Sequence, residues 1–146
     1  VRSDPAAAEV VRAARALADL LVEENAALRR HDVDAVRALA DRKEATTRLY
    51  RERMLAVHKD PGHLTGLPEG ERAVVRQTGV YLDAHLAENA RLLKATMEGT
   101  NRLMSLIVDA VKHVNAERAP GYAADGRMSD PTHNPSRVTM AYNENL

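Results

Sequence analysis

Residues 82–114, LDAHLAENARLLKATMEGTNRLMSLIVDAVKHV, decide how the rest of the chain is read. Within them Leu82, Leu86, Asn89, Leu93, Thr96, Thr100, Leu103, Ile107, Ala110 and Val114 alternate steps of four and three without a miss, the repeat of a heptad seam along one face of a helix. Beside this seam Ala90, Met97, Met104 and Val111 recur every seven residues. The added row makes the apolar face wider than a two-stranded coil needs, so the helix is expected to pack against more than one neighbour. Pro68 with Glu69 and Glu71 marks its start, and the composition changes after Arg118. Gly79 and Gly99 each cost such a helix about 1 kcal/mol relative to Ala.

Working towards the N-terminus, Asp60, Pro61, Gly62, Gly66, Leu67 and Pro68 form a stretch dense in helix breakers, read as a loop. Before it, Asp4 and Pro5 give a helix start: the carboxylate accepts from orphan amides, and proline at the first helical position loses no hydrogen bond. Val10, Ala14, Leu17, Leu21 and Leu28 then trace one face to about Arg30. Arg29 and Arg30 suit a negative helix end, and Asp32 and Asp34 suit the positive start of the next helix. A tight turn is therefore expected at His31 and Asp32, with one continuous helix as the alternative. From Val33 to about His58 the stripe of Val36, Leu39, Leu49, Tyr50, Met54 and Val57 is looser, and Lys43 and Thr46 stand where apolar residues are expected. That face is weakly buried or waits for a partner. The expected fold is all-α: an antiparallel helical hairpin or up-down helix bundle with long helices over residues 1–118, followed by a flexible tail over residues 119–146.

The tail reading follows from Pro120, Gly121, Gly126, Pro131 and Pro135, among which Tyr122, Met128, Val138, Met140, Tyr142 and Leu146 are scattered. Ordering a backbone costs about 1–2 kcal/mol per residue, and a few isolated side chains at roughly 1.5–3 kcal/mol each cannot offset it. Such a segment orders only on a partner, to which its last apolar residues can bind.

Composition narrows the function. Among 146 residues, 21 Lys and Arg balance 21 Asp and Glu, so no net field gathers nucleic acid or an anionic membrane. Aromatics are 3% with no Trp or Phe, and the core must come from Leu, Val, Met and Ala. Cysteine is absent, which removes disulfide and thiolate chemistry. No apolar run is long enough to span a membrane, and Asp4, Glu9 and Asp19 lie where a signal peptide is apolar, so a cytoplasmic location is expected.

The six histidines, at positions 31, 58, 63, 85, 113 and 133, do not have metal-site spacing. A di-metal bundle needs Glu-x-x-His on two helices, whereas His85 precedes Glu88 and has no twin. HExxH, GxSxG and Gly-rich phosphate loops are missing too, so neither an enzyme nor a cofactor is expected. Asn89, Thr96 and Thr100 sit in the seam where Leu would be more stabilising. They are read as specifying register and helix number, with a ligand role as the alternative. Met97 and Met104 suit either gap filling or a surface that adapts to partners. Glu24, Asn25, Ala26 and Leu28 recur as Glu88, Asn89, Ala90 and Leu92, the same polar notch on two helices.

Together these residues resemble the FlgN family of bacterial flagellar export chaperones. The likeness rests on Leu20, Leu21, Glu24, Asn25 and Leu28, on Asp32 followed by Leu39 and Lys43, and on Glu88, Asn89 and Leu92. It extends through Asn101, Met104, Ile107 and Ala110 to Tyr122, Gly126, Asn143 and Leu146. The resemblance implies a cytoplasmic, non-catalytic type III export chaperone. Its clients would be hook-filament junction proteins of the FlgK and FlgL type, held by their C-terminal helices. The implied partner-binding residues are Met97, Leu103, Met104, Ile107, Val111 and Val114 on the long helix and Tyr122, Val138, Met140, Tyr142 and Leu146 in the tail. A self-associating structural coiled coil without a client is the other reading of the same seam.

Overall fold

The computed structural model describes residues 4–118, and all regular structure among them is helical: α1 (Pro5–Arg29), α2 (Val33–Lys59), α3 (Gly62–Thr65) and α4 (Glu69–Glu117). Tail residues Tyr122, Val138, Met140, Tyr142 and Leu146 lie outside the described residues. Compact units divide between Arg102 and Leu103, inside α4.

α1 starts as its sequence dictates. The Asp4 side chain accepts from the amides of Ala6 at 2.8 Å and Ala7 at 3.4 Å, and Pro5 takes the first helical position. The expected turn at His31 and Asp32 is present, and its chemistry is now visible. His31 adopts φ 55°, its amide donates to the Leu28 carbonyl at 3.1 Å, and the Asp32 amide reaches back to the Ala27 carbonyl at 3.0 Å. These two bonds satisfy the last carbonyls of α1 in the pattern that glycine usually supports. Asp32 then caps α2, accepting from the Ala35 amide at 3.0 Å. One residue thus closes one helix and opens the next.

The stretch dense in breakers is not all loop, because Pro61 and the Asp60 carboxylate nucleate the single turn α3. Asp60 Oδ1 accepts from the Gly62 amide at 3.0 Å. Leu67 is buried behind it.

In the unit spanning Val1–Arg102, α1 is the central helix. Its buried residues, among them Ala7, Val10, Ala13, Ala14, Leu17, Ala18, Leu20 and Leu21, cover far more than one narrow stripe. The alanines allow neighbouring helices to approach closely. α2 runs antiparallel to α1, with Arg53 3.6 Å from Glu9 at one end and Arg42 3.3 Å from Glu23 at the other. α4 runs parallel to α1. Val74 and Val75 flank Ala7 and Ala8, Leu82 packs into the Ala14, Leu17, Ala18 and Leu21 cluster beside Tyr50, and Asn89 meets Asn25. The order up, down, up is a three-helix arrangement with one all-aliphatic centre.

The packed face of α4 is not the whole expected seam. Its buried residues are Thr78, Leu82, Asn89 and Leu92, with Val75 and His85 half-buried between them. This row also steps by three and four, but it is rotated by about one position from Leu86 and Leu93. Leu86 is 41% exposed. The seam coincides with the packed row only at Leu82 and Asn89.

Near the start of α1, His63 Nδ1 lies 2.8 Å from Asp4 Oδ2, tying α3 to the helix cap, and Asp60 Oδ2 is 3.7 Å from Nε2. The hydrogen bond to Asp4 raises the His63 pKa above its ordinary 6.5, and the same bond lowers that of Asp4 below 3.8. The His63 contribution is therefore complete below pH 6.5 and fades as pH rises through its raised value. The Asp4 contribution is present above 3.8 and fades on acidification. Urea unfolding should show that His63→Ala destabilises more at about pH 5.5 than at about pH 8.5, and equal losses at the two would contradict the tie. A second expectation concerns the turn: His31→Gly removes an unfavourable left-handed side chain and should raise stability by about 1 kcal/mol, read as a higher Tm.

Candidate functional site

Two features of α4 bear on function: a buried polar layer where it meets α1 and α2, and the apolar face that follows it. The layer has four members. Glu24 and Asn25 come from α1, Lys43 from α2 and Asn89 from α4, and Glu24, Asn25 and Asn89 are all at most 5% exposed. Glu24 Oε2 accepts from Lys43 Nζ at 2.7 Å and from Asn89 Nδ2 at 2.6 Å. Asn89 Nδ2 also donates to Asn25 Oδ1 at 2.9 Å, while Asn89 Oδ1 accepts from Lys43 Nζ at 3.0 Å. Asn25 Nδ2 completes the set by donating to the His85 carbonyl at 3.3 Å. Both amide hydrogens of Asn89 are used, and the buried carboxylate faces an ammonium.

This geometry explains the two repeated sequence blocks. Because α1 and α4 are parallel, equivalent residues of the blocks come side by side, and Asn25 bonds Asn89 directly. Lys43, an odd residue on an apolar stripe when α2 is read alone, is the cation that the two notches share. Glu88 differs from its counterpart Glu24 in lying at the rim. Arg91 and Arg29, each 2.8 Å away, lower its pKa to about 2, with Arg91 the stronger cause. The layer's groups are committed to one another, so its chemistry is that of a register lock and not of a reacting centre.

Packing of α4 stops just past the layer. α1 ends at Arg29, one turn beyond Asn25, and Leu93 stands one turn beyond Asn89. Among the described residues Leu92 is the last buried one, and every residue from Lys94 to Arg118 is exposed. Met97 is 60% exposed, Leu103 58% and Val111 54%, with Met104, Ile107 and Val114 near two-fifths. Of the residues assigned to partner binding from sequence, Leu103, Met104, Ile107, Val111 and Val114 share one side of α4 after Arg102, whereas Ser105, Asp109 and Lys112 occupy the opposite side.

The three polar seam residues behave differently from one another. Asn89 makes cross-helix bonds. Thr96 Oγ1 donates to the Leu92 carbonyl at 2.9 Å and Thr100 Oγ1 to the Thr96 carbonyl at 3.0 Å, so both hydroxyls are satisfied within α4. What they present outward is a methyl group. Sequence reasoning missed Lys43, Glu24 and Asn25 as members of the layer; the doubled Glu-Asn block and the lysine on an apolar stripe were the signals.

Among the described residues no group of three or more His, Asp or Glu side chains could hold a metal ion, and no helix is long and apolar enough to cross a membrane. Comparison of the chain with protein-family models, with curated proteins and with solved structures yields no match.

Removing one partner from the layer should be costly. Lys43→Met leaves the Glu24 carboxylate buried against a single amide and should lower unfolding free energy by about 3 kcal/mol. Adding Glu24→Gln should recover about half of that in a double-mutant cycle followed by urea unfolding, and strictly additive losses would mean the pair is not coupled.

Proposed function

We propose that this chain is a non-catalytic helix-binding chaperone that covers amphipathic helices of a client protein with the C-terminal half of α4. The supporting observation is the apolar side of residues 103–118, which is exposed along its whole length although its sequence has the periodicity of a packed face. Monomeric soluble proteins seldom expose contiguous apolar patches of more than a few hundred Å², and such patches mark interaction surfaces. The recognition mode that fits is helix against helix, with anchors spaced three, four and seven residues apart and methionines that adapt to the opposing side chains.

The resemblance to FlgN-type chaperones makes the reading more specific. The clients are then junction proteins of the FlgK and FlgL type, bound through their C-terminal helices in the cytoplasm before flagellar export. Residues 119–146, with Tyr122, Val138, Met140, Tyr142 and Leu146, would add contacts beside Met97, Leu103, Met104, Ile107, Val111 and Val114. Covering a client's terminal helices prevents their premature assembly, and any ordering that accompanies binding keeps the affinity moderate enough for release.

Calorimetric titration with the C-terminal helical segment of a FlgK-type protein tests this. One-to-one binding is expected, weakened at least ten-fold by Leu103→Glu and weakened again by truncation after Arg118. Absence of binding by the intact chain would overturn the proposal.

A further inference from the structure

The single turn α3 is held in place by few groups. None of its own residues is buried, and glycines stand at its first position and just past its end. Its attachments are the buried side chain of Leu67 just beyond it, the Leu67 carbonyl, which accepts from Arg72 Nη2 at 3.0 Å, and the ring of His63. That ring lies between carboxylates from two different helix ends. Nδ1 is 2.8 Å from Oδ2 of Asp4, the N-cap of α1, and Nε2 is 3.7 Å from Oδ2 of Asp60, the C-cap of α2.

Imidazolium carries a hydrogen on each nitrogen and can serve both acids, whereas neutral imidazole has one donor and turns a lone pair towards the second acid. Neither carboxylate is free to swing away from that mismatch. Asp4 Oδ1 caps the Ala6 amide at 2.8 Å, and Asp60 Oδ1 accepts from the Gly62 amide at 3.0 Å. The raised pKa of His63 has these acids as its cause, Asp4 foremost. Of the other charged groups near these helix ends, Arg72 pairs with Glu69 at 3.6 Å, Glu71 lines a cleft together with Asp4, and His58 and Lys59 are exposed.

We infer that His63 is a proton-operated clasp on the strap formed by residues 61–67: its imidazolium fastens the strap to the ends of α1 and α2, and loss of its proton lets the strap lift. Leu67 is one wall of an open cleft of about 300 Å³ whose other apolar walls are Ala7, Ala8, Val11, Val74 and Val75. Lifting the strap withdraws Leu67 and widens that cleft, so access to apolar surface in the unit spanning Val1–Arg102 rises with pH. The clasp does not draw on the helix-binding reading of α4.

The chain contains no cysteine, so a single introduced thiol reports access without interference. Leu67→Cys places the thiol on the buried side of the strap, and Ala38→Cys provides an exposed reference on α2. Alkylation by iodoacetamide is timed for each, and every rate is divided by that of the same variant in concentrated urea to remove the effect of thiol ionisation. Between about pH 5.5 and 8.5 the ratio of the first rate to the second should rise roughly two- to five-fold, the range for a partly exposed charge pair, in step with the titration of the His63 ring protons followed by NMR. His63→Gln, which keeps a neutral donor but does not titrate, should hold the ratio near its upper level at every pH. A flat ratio with His63 in place overturns the clasp, as does a rise that persists in His63→Gln. So does labelling that accelerates with urea as steeply as global unfolding, because access then requires the whole chain to open. Should Leu67→Cys not fold, amide exchange in the unaltered chain decides the question at Leu64, Thr65 and Gly66, whose amides donate to the Pro61 and Gly62 carbonyls. Their protection should fall by the same factor over the same range, and constant protection overturns the clasp.

Discussion

The hydrogen-bonded layer of Glu24, Asn25, Lys43 and Asn89 is the constraint on which the arrangement depends. An aliphatic, alanine-rich interface between long helices specifies axial position poorly, because sliding by a turn exchanges one small side chain for another at little cost. A buried carboxylate cannot slide in this way, since moving α2 or α4 separates it from its ammonium or its amide at a cost of several kcal/mol. The layer links three helices through one oxygen, Glu24 Oε2, and thereby sets their mutual register. Its worth lies in specificity more than in net stability, the role best attested for buried polar residues in helical bundles.

With register fixed, the end of packing follows from lengths. α1 has only one turn left after Asn25, so α4 loses its neighbour within one turn of Asn89. α4 nevertheless continues to Glu117 with its apolar residues still periodic. Among the described residues, the hydrophobic pattern thus outlasts the surface that α1 and α2 offer it. Such a periodic exposed run differs from scattered apolar residues, which are ordinary on any protein surface.

Much of the fold was legible because its signals are local. Asp4 with Pro5, the charge order around His31, and Pro68 with Glu69 place the helix boundaries to within a residue or two of where they occur. α3 was missed because a single turn nucleated by Pro61 and Asp60 has no periodicity to detect. The face of α4 was misjudged for a different reason: two rows offset by one position both satisfy a step of three and four. What selects between them is the partner helix, which a single segment cannot reveal. Lys43 shows the same limit in reverse. Alone on α2 it is a flaw in a stripe, and it becomes intelligible only when Glu24 and Asn89 arrive from residues far away in sequence.

The two halves of α4 therefore solve opposite problems with one continuous helix. The first half encodes uniqueness, through a polar layer that accepts one alignment and penalises others. The second half, with Met97 and Met104, flexible side chains, and no cross-helix polar bond among the described residues, encodes tolerance. Under the proposed function, a surface of that kind suits amphipathic helices that differ in sequence. Apolar contact there is graded where the layer is all-or-none, so on the proposed reading a client could be taken up and released while the layer keeps the first half of α4 in a single alignment with α1 and α2.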